Sequence, residues 1–348
     1  MKITDYPKAT SIKPNNVFLI DGPDGTKRIS ASDLGFPEDG AALMGQGDIS
    51  NPNLLINGDF SVAQRGASFP NAANNTYTLD RWKPVNTYGN ITKVSNGVSL
   101  KKRSVADYAS IGQNVNVDEL NLRGKLLTFT VNIKAINNMA PNYPVMRIAQ
   151  NTGNADVSLV LATQLDLVVG NNSLTIEVPL TGPSYLMCYI YFAPNTHIDQ
   201  EVIISHCKLE IGDKATLFVP RLPGEELSLC QRYFERVGRI GTPLLSAVSF
   251  LYPGTDTVLF FVPYARKRIV PTVALRPISQ YRLMALSNTN NGVAFPSTFS
   301  SLAVSYSETT ACTVLGTIPS APGIGYHVVL QRGDQSTEPW IDVDAEVY

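Results

Sequence analysis

Hydrophobic and polar residues alternate along much of this chain, and the alternation predicts β-strands. In residues 127–135, apolar side chains occupy every second position, with Thr, Asn or Lys between them. A period of two places one set of side chains on a buried face and the other on an exposed face. Because Gly, Asn and Pro turns separate such segments throughout residues 51–222, the pattern predicts a jelly-roll β-sandwich there.

Residues 203–211 have the same period and are predicted to form a long strand. Strict alternation places Ile203, Cys207 and Leu209 on one face and Ile204 and Lys208 on the other.

One segment has a helical period instead. Between Glu225 and Val237, apolar residues recur at spacings of three and four. They are Leu227, Cys230, Phe234 and Val237. Glutamates at the start of a helix and a glycine after its end fit the helix dipole and the usual C-terminal cap. The spacing therefore predicts a short connecting helix over residues 223–238, ending at Gly238.

The first 50 residues form a separate small unit. Two short strand-like runs, 17–21 and 26–30, flank the turn sequence Gly22-Pro-Asp-Gly25 and predict a β-hairpin. A two-stranded hairpin is too small to fold alone, so we expect it to dock on a partner protein. The candidate contact residues are Val17, Phe18, Leu19 and Ile20. The glycine-rich residues 39–48 then read as a flexible linker.

Residues 239–348 are again rich in strand patterns, at 257–263, 272–275, 326–330 and 340–348. They predict a C-terminal β-sandwich. The sequence thus predicts an all-β chain in four parts. These parts are an attachment segment with its linker (1–50), a jelly roll (51–222), a connecting helix (223–238) and a C-terminal β-sandwich (239–348).

Composition narrows the function. The formal net charge is −1, which argues against a general nucleic-acid binder. No run reaches the ~18 apolar residues of a membrane helix, so we expect no membrane insertion. The N-terminus lacks the apolar core of a secretory signal, so we expect synthesis in the cytoplasm. The four cysteines are widely spaced with no CxxC pair. We expect buried free thiols rather than zinc ligands.

Several motifs together resemble one family. Residues 53–66 and 209–235 resemble the opening strand, closing strand and connecting helix of a jelly-roll module in bacteriophage and prophage tail-fibre or receptor-binding proteins. Tyr77-Thr-Leu-Asp-Arg-Trp82 and residues 262–273 and 344–347 resemble the same proteins, so the resemblance covers most of the chain. Asn57-Gly-Asp-Phe60 is similar to the start of several carbohydrate-binding modules.

The resemblance implies a virion fibre protein that attaches the particle to host surface glycan without covalent chemistry. It further implies a homotrimer located in the virion, joined to another virion protein through residues 1–50. Two alternatives stay open. One is a structural head fibre or capsid decoration protein, and the other is a glycan depolymerase. No cofactor is expected.

Aromatic residues supply the first glycan-binding candidates. In residues 185–192, alternation assigns Tyr185, Tyr189 and Tyr191 to one face and predicts that the other face is core. Sugar rings stack on aromatic faces, while the tyrosine hydroxyls form hydrogen bonds. The alternative is that these tyrosines line a facing sheet or a subunit interface. Trp82 is a further candidate sugar platform, and its alternative role is a core anchor.

Basic residues of the C-terminal part supply the second set of candidates. From Thr257 to Ser307 the chain contains no acidic residue. Arg266, Arg268 and Arg282, with Tyr281 nearby, could capture an anionic cell-wall polymer through charge-assisted hydrogen bonds. A solvated strand face is the alternative. Since the N-terminus is assigned to the virion, we expect residues 239–348 to read the receptor.

Metal and catalytic chemistry have less support. Asp59, with Glu210 or Asp213, is a candidate for a structural Ca²⁺ site, because carboxylates are preferred calcium ligands. The alternative for Asp59 is turn chemistry. The three histidines lie far apart in sequence, and no nucleophile motif or phosphate-binding loop is present. The sequence therefore predicts that the protein is not an enzyme.

Overall fold

The fold is all-β, as the alternation predicts. The computed structural model describes residues 17–22, 25–30, 50–85, 89–104, 108–138, 144–151, 161–193, 198–238, 245, 248–251, 255–287, 293–297, 299–319, 326–332 and 340–346. These residues form 22 strands and one α-helix, and every strand pairing is antiparallel. Two compact units result, residues 1–52 with 214–219, and residues 53–213 with 220–348.

The first unit contains the predicted hairpin. Strands β1 (Val17–Gly22) and β2 (Gly25–Ser30) pair antiparallel, with Val17 opposite Ser30. In the same unit, the Ser50 hydroxyl donates a hydrogen bond to the carbonyl of Leu217 (2.7 Å). The side chains of Val17, Phe18, Leu19 and Ile20 and the predicted linker 39–48 lie outside the described part of the chain. Their predicted roles stay predictions.

The second unit begins with a β-sandwich of two sheets. Its strands are β3 (Ser68–Ala72), β4 (Gly89–Val94), β5 (Gly97–Lys101), β6 (Ala109–Asn116), β7 (Leu126–Asn137), β8 (Val145–Asn151), β9 (Leu161–Asp166), β10 (Gly170–Glu177), β11 (Tyr185–Phe192) and β12 (Glu201–Ile211). One sheet has the order β10-β7-β12-β5-β4-β3, and the other has the order β6-β11-β8-β9. Apolar side chains from both sheets form one continuous core.

Strand β7 supplies the regular part of that core. Leu127, Phe129 and Val131 are fully buried, as their alternation predicts. Thr128 and Thr130, expected on the exposed face, are also buried. The Thr128 hydroxyl satisfies its hydrogen bonding by donating to the carbonyl of Gly212 (2.8 Å). The early part of β7 is therefore covered on both faces.

Strand β12 departs from strict alternation. Its register with β7 shifts on both sides of Ile204, which marks a β-bulge. An extra residue changes the phase of the strand, so Ile204 joins Cys207 and Leu209 in the core rather than facing away from them. The predicted assignment of Ile204 was wrong for this reason.

The connecting helix is shorter than predicted. Helix α1 spans Pro223–Gln231, and Phe234–Val237 forms strand β13 instead of two further helical turns. Strand β13 pairs with β22 (Ile341–Asp344), with Val237 opposite Ile341. A sheet partner more than 100 residues away in sequence therefore overrides the local helical spacing.

The rest of the chain forms three small antiparallel sheets. The remaining strands are β14 (Val248–Leu251), β15 (Thr257–Pro263), β16 (Thr272–Leu275), β17 (Tyr281–Ser287), β18 (Val293–Ser297), β19 (Ser301–Ser307), β20 (Ala311–Thr317) and β21 (Tyr326–Arg332). The sheet orders are β13-β22-β16, β14-β15-β20-β19 and β18-β17-β21. They share a second core that includes Val258, Phe260, Val314 and Val343. A 3-10 turn at Ile278–Gln280 precedes β17.

All four cysteines are free and buried, which confirms the prediction. Cys188 and Cys207 lie in the core of the sandwich, and Cys312 lies in the second core. Within the described residues, no helix is long and apolar enough to cross a membrane.

Candidate functional site

The outer face of the four-stranded sheet carries the tyrosines that the alternation singles out. Leu186, Cys188, Ile190 and Phe192 of β11 lie in the main core, as predicted. Met187, Tyr189 and Tyr191 belong to a separate small cluster with Val85 and Ala149 on the opposite side of the sheet. The period of two along β11 is therefore confirmed.

Three rings form a continuous aromatic surface, which we call the tyrosine face and define as Tyr108, Tyr189 and Tyr191. The ring centroids of Tyr189 and Tyr191 lie 5.5 Å apart with the rings nearly parallel, and those of Tyr108 and Tyr191 lie 6.0 Å apart. Tyr108 is 47% exposed, Tyr191 is half-buried and Tyr189 is only 7% exposed. Tyr108 and Tyr191 thus meet solvent, while Tyr189 supports them from below.

Polar groups from the neighbouring strands border this face. The Tyr191 hydroxyl donates a hydrogen bond to the Oε1 of Gln164 on β9 (3.1 Å). Arg147 on β8 lies directly opposite Tyr189. Its Nε is buried and has no hydrogen-bond partner among the described residues. The border therefore offers a cationic side chain and an amide beside the rings.

The tyrosine hydroxyls stay protonated at neutral pH. Burial raises the pKa of both Tyr189 and Tyr191, and the nearby Arg147 opposes this effect without cancelling it. A protonated hydroxyl can both donate and accept a hydrogen bond, as a sugar hydroxyl requires.

Gly112 on β6 lets the aromatic layer sit close to the sheet. A Cβ at this position would lie 2.6 Å from the Cβ of Tyr189 and 2.9 Å from a methyl carbon of Val85. Gly112 also exchanges two backbone hydrogen bonds with Lys83 (3.0 and 2.8 Å), which ties the preceding loop to the edge of the sheet. Any larger side chain would displace Tyr189.

Trp82 is not a sugar platform. Its side chain is fully buried, and its indole Nε1 donates a hydrogen bond to the carbonyl of Asn57 (2.8 Å). Its ring packs against Phe60 at a centroid distance of 4.8 Å. A side chain with no accessible surface cannot stack on a ligand, so the core-anchor alternative is the correct one.

Trp82 belongs to a buried polar network that connects the motifs recognised in the sequence. We call this network the motif cluster and define it as Asn57, Gln64, Asp80, Trp82 and Glu226. The Asn57 side chain donates to the carbonyls of Val62 and Asp80 (both 2.9 Å). Its backbone N–H donates to Oε1 of Glu226 on helix α1 (2.5 Å). Residues far apart in sequence therefore meet here.

Gln64 connects the motif cluster to strand β13. Its Nε2 donates to Oδ1 of Asp80 (2.7 Å) and to the carbonyl of Phe234 (2.9 Å). Burial raises the pKa of Asp80, although the nearby Arg65 and the hydrogen bonds from Gln64 oppose this. The cluster thus fixes the sandwich to helix α1 and strand β13.

The predicted basic surface of the C-terminal part is not assembled as expected. Arg266 is exposed, whereas Arg268 pairs with Glu119 of the sandwich (2.8 Å). The neighbouring Lys267 is buried and pairs with Glu235 (2.7 Å). The side chain of Arg282 lies outside the described part of the chain.

Tyr281 is also buried. Its hydroxyl donates to the carbonyl of Trp340 (2.9 Å) and accepts a hydrogen bond from the backbone N–H of Arg276 (2.8 Å). Glycan contact by Tyr281 is therefore excluded by its burial.

Tyr185 lies apart from the tyrosine face. It lines a cleft of about 220 Å³ between the sandwich and the end of helix α1. Tyr233, Arg232 and Arg268 line the same cleft. The three predicted tyrosines of β11 therefore serve two places on the surface.

The calcium ligand set does not form among the described residues. Oδ1 of Asp59 accepts a hydrogen bond from the backbone N–H of Ser61 (3.1 Å), which is the turn chemistry of the alternative. Glu210 pairs with Lys208 (3.1 Å). In the part of the chain that the structure describes, no three His, Cys, Asp or Glu side chains could hold one metal ion.

Three residues around the tyrosine face were not predicted from the sequence. Tyr108 immediately precedes β6, and Arg147 and Gln164 lie on β8 and β9. They meet Tyr191 only through strand pairings such as Ser110 opposite Tyr191. Polarity patterns within one strand carry no information about which distant strand lies beside it.

Comparisons with known proteins give weak similarities. No family model and no curated protein matches the chain. A CBM4 structure is 11% identical with a TM-score of 0.30, covering 45% of this chain and 98% of its own. The tandem CBM22-1–CBM22-2 domain of Paenibacillus barcinonensis Xyn10C is 12% identical with a TM-score of 0.29, covering 85% and 96%.

A third similar structure comes from a phage. The enzymatically active domain of bacteriophage CBA120 tailspike protein 4 is 10% identical with a TM-score of 0.28, covering 42% of this chain and 21% of its own. At these identities and TM-scores, none of the three similarities identifies a ligand or an activity for this chain.

Proposed function

We propose that this chain is a non-catalytic attachment protein of a bacteriophage virion, and that it binds host surface glycan through the tyrosine face of its sandwich. The observation that carries the glycan-binding part is the packing of Tyr108, Tyr189 and Tyr191 on one outer sheet face. The phage part is supported by the sequence motifs at residues 53–66 and 209–235 and by the all-β architecture.

The chemistry of the tyrosine face suits a sugar. The apolar C–H face of a pyranose ring packs against an exposed aromatic ring, and its hydroxyls need donors and acceptors at the border. Tyr108 and Tyr191 provide rings that solvent reaches. Gln164 and Arg147 provide polar groups on the adjacent strands. No nucleophile or acid pair is required for such binding.

The sandwich is now a better candidate for the receptor site than the C-terminal part. The predicted contact residue Arg268 and its neighbour Lys267 are held in ion pairs, and Tyr281 is buried. Arg266 and Arg276 are exposed, and the guanidinium of Arg276 lies over the ring of Trp340, 4.0 Å from its centroid. The tyrosine face, in contrast, has two aromatic rings, those of Tyr108 and Tyr191, that solvent and therefore a sugar can reach.

A glycan array tests the proposal directly. The full chain is bound to an array of bacterial capsular, lipopolysaccharide and teichoic-acid glycans, alongside its Tyr191→Ala and Tyr108→Ala variants. We expect both variants to lose at least about fivefold in affinity, since base stacking on aromatic side chains, a related contact, contributes about 1–3 kcal/mol per base.

Tyr306→Ala is the matched control, because Tyr306 is an exposed tyrosine of the C-terminal part at 60% exposure. Loss of binding in Tyr306→Ala with none in Tyr191→Ala would return the receptor site to residues 239–348. Release of reducing ends from any bound glycan would favour the depolymerase alternative. Absence of binding to every glycan would favour a structural head fibre or decoration protein.

The assembly part of the proposal has its own test. We propose that the hairpin of β1 and β2 joins a homotrimer to another virion protein, because two strands alone cannot bury an apolar face. Removing residues 1–50 should leave a folded protein that no longer joins virions. Light scattering of the full chain should give the mass of three copies, and a stable monomer at micromolar concentration would rule out the trimer.

A further inference from the structure

We infer that the cleft between the sandwich and helix α1 is a second binding site, which takes a single acidic sugar unit bearing a carboxylate or a phosphate. The cleft has a volume of about 220 Å³. Its walls include Tyr185, Tyr233 and four arginines. The cleft is separate from the tyrosine face. The inference rests on the proposed function only for the expectation that the ligand is a sugar.

The charge of the cleft is what selects an anion. Three of its arginines already have carboxylate partners. Arg81 pairs with Glu346, Arg221 with Glu226 (3.1 Å) and Arg268 with Glu119 (2.8 Å). The fourth arginine, Arg232, has no such partner among the described residues, so its positive charge is not paired within the cleft.

That fourth cation is Arg232, at the C-terminal end of helix α1. It is exposed, and no carboxylate lies within ion-pair distance of it among the described residues. A guanidinium group binds a carboxylate or phosphate through two parallel hydrogen bonds. Arg232 is thus available to a ligand, whereas its three neighbours contribute positive potential.

The neighbouring cations are fixed before any ligand arrives. The guanidinium carbon of Arg81 lies 3.7 Å from the ring centroid of Tyr233, and that of Arg268 lies 5.4 Å from it. Each also has its carboxylate partner, so neither side chain must be ordered on binding. Preorganised side chains lower the entropic cost of association.

The size and walls of the cleft limit the ligand. Its volume of about 220 Å³ is below the range of about 300–1,000 Å³ of pockets for drug-sized ligands, which fits one sugar unit inside the cleft. The ring of Tyr185 offers a surface on which such a unit can pack, while the ring of Tyr233 holds the guanidinium of Arg81 in place. An acidic sugar matches both the aromatic walls and the positive charge.

Saturation-transfer difference NMR with four small probes tests the inference on the full chain. The probes are glucuronate, glucose 6-phosphate, glucose and inorganic phosphate. We expect at least one of the two acidic sugars to bind at least tenfold more tightly than both glucose and inorganic phosphate. Preference between glucuronate and glucose 6-phosphate then distinguishes a carboxylate from a phosphate ligand.

Variants locate the site. Arg232→Ala should weaken binding of the preferred acidic sugar at least tenfold, and Arg232→Lys should weaken it less, because charge is kept. The backbone carbonyl of Arg232, which accepts a hydrogen bond from the N–H of Arg268, is unaffected by either change. Arg266→Ala is the matched control, since Arg266 is exposed and does not line the cleft.

The outcomes are separable from those of the glycan array. Tyr191→Ala should leave binding of the acidic sugar unchanged. A negative result for glycan binding at the tyrosine face would therefore not affect the test of the cleft. Binding of both acidic sugars no tighter than that of glucose or inorganic phosphate, or unchanged binding of the preferred acidic sugar in Arg232→Ala, would each overturn the inference.

Discussion

The motif cluster and the tyrosine face both belong to the sandwich part of the chain, but they differ in sequence and in exposure. The motif cluster is distinctive in sequence and buried, whereas the tyrosine face is not distinctive in sequence and is partly exposed. Asn57, Trp82 and Glu226 come from the most recognisable segments, and their side chains are almost completely buried. Tyr108 and Tyr191 come from segments without a distinctive motif, and they meet solvent. The residues that make the chain recognisable therefore serve folding, while the candidate ligand surface lies elsewhere.

The physical reason is the cost of burying polar groups. A buried amide, indole N–H or carboxylate needs a partner of matching geometry, so few residue types are tolerated at each position. Asn57 alone takes part in hydrogen bonds with Val62, Asp80, Trp82 and Glu226. An exposed aromatic face demands only rings at suitable spacing. Strong motifs in such a fold are better evidence for structure than for a ligand site.

The largest expected effect is on the motif cluster. Trp82→Ala should lower the free energy of unfolding by about 3–5 kcal/mol, because it removes a fully buried ring and its hydrogen bond to Asn57. Chemical denaturation followed by circular dichroism measures the change. Molecules that remain folded should bind glycan as the wild type does.

Trp82→Phe provides the control for this change. It keeps an aromatic ring in the core but leaves the Asn57 carbonyl without its indole donor, which should cost about 1–3 kcal/mol. A loss of glycan binding in folded Trp82→Phe, with stability unchanged, would contradict the assignment of Trp82 to the core.

Glu226 provides the next effect. Its carboxylate accepts hydrogen bonds from the Asn57 backbone (2.5 Å) and from Arg221 (3.2 and 3.1 Å). Glu226→Ala should destabilise the protein by about 2–3 kcal/mol, because a buried N–H and a partly buried cation both lose their acceptor. Glu226→Gln retains an acceptor and should cost less. Equal thermal stability of both variants would argue against this network.

The buried side chain of Lys83, next to Trp82 in the chain, should make the stability of the protein depend on pH. Lys83 is 2% exposed and its ammonium lies 5.1 Å from the ring centroid of Tyr77. Burial lowers its pKa from 10.5 to about 8. Above pH 8 the folded protein therefore releases this proton while the unfolded chain keeps it until about pH 10.5. Since the unfolded state then binds more protons, stability rises with pH in this window.

The comparison with Lys83→Met isolates that effect. Between pH 7 and pH 9 the wild type should gain on the order of 1 kcal/mol relative to Lys83→Met, at 1.36 kcal/mol per unit of pKa shift. Urea denaturation at several pH values measures the difference. Taking the difference between the two proteins removes contributions from the buried cysteines, whose raised pKa values act in the opposite direction above pH 9. Parallel pH curves would show that Lys83 titrates normally.

Sequence reasoning succeeded where the controlling interactions are local. The faces of β11 followed from the alternation of Leu186, Cys188 and Ile190 with Met187 and Tyr189. It failed where distant pairing decides the structure. The helical spacing of Phe234 and Val237 yielded to pairing with β22.

The tyrosine face was predicted only in part from the sequence. Alternation identified Tyr189 and Tyr191, but the register that adds Tyr108 and Arg147 depends on strands far apart in sequence. For the cations, sequence showed the absence of acids near Arg268 but not the carboxylate of Glu119, which lies about 150 residues away in the chain. Charge along a segment therefore did not predict charge on the surface.

The smallest expected effect separates stacking from hydrogen bonding within the tyrosine face. Tyr191→Phe keeps the ring beside Tyr108 and Tyr189 but removes the hydroxyl that bonds to Gln164. The partly exposed position makes a stability change above about 0.5 kcal/mol unexpected. Glycan affinity should fall about two- to tenfold, the net value of one hydrogen bond, and less than in Tyr191→Ala. Calorimetric titration of all three proteins with one array-selected glycan measures this order. If Tyr191→Phe lost as much affinity as Tyr191→Ala, the hydroxyl and not the ring would be the main contact, and the stacking account of this surface would be wrong.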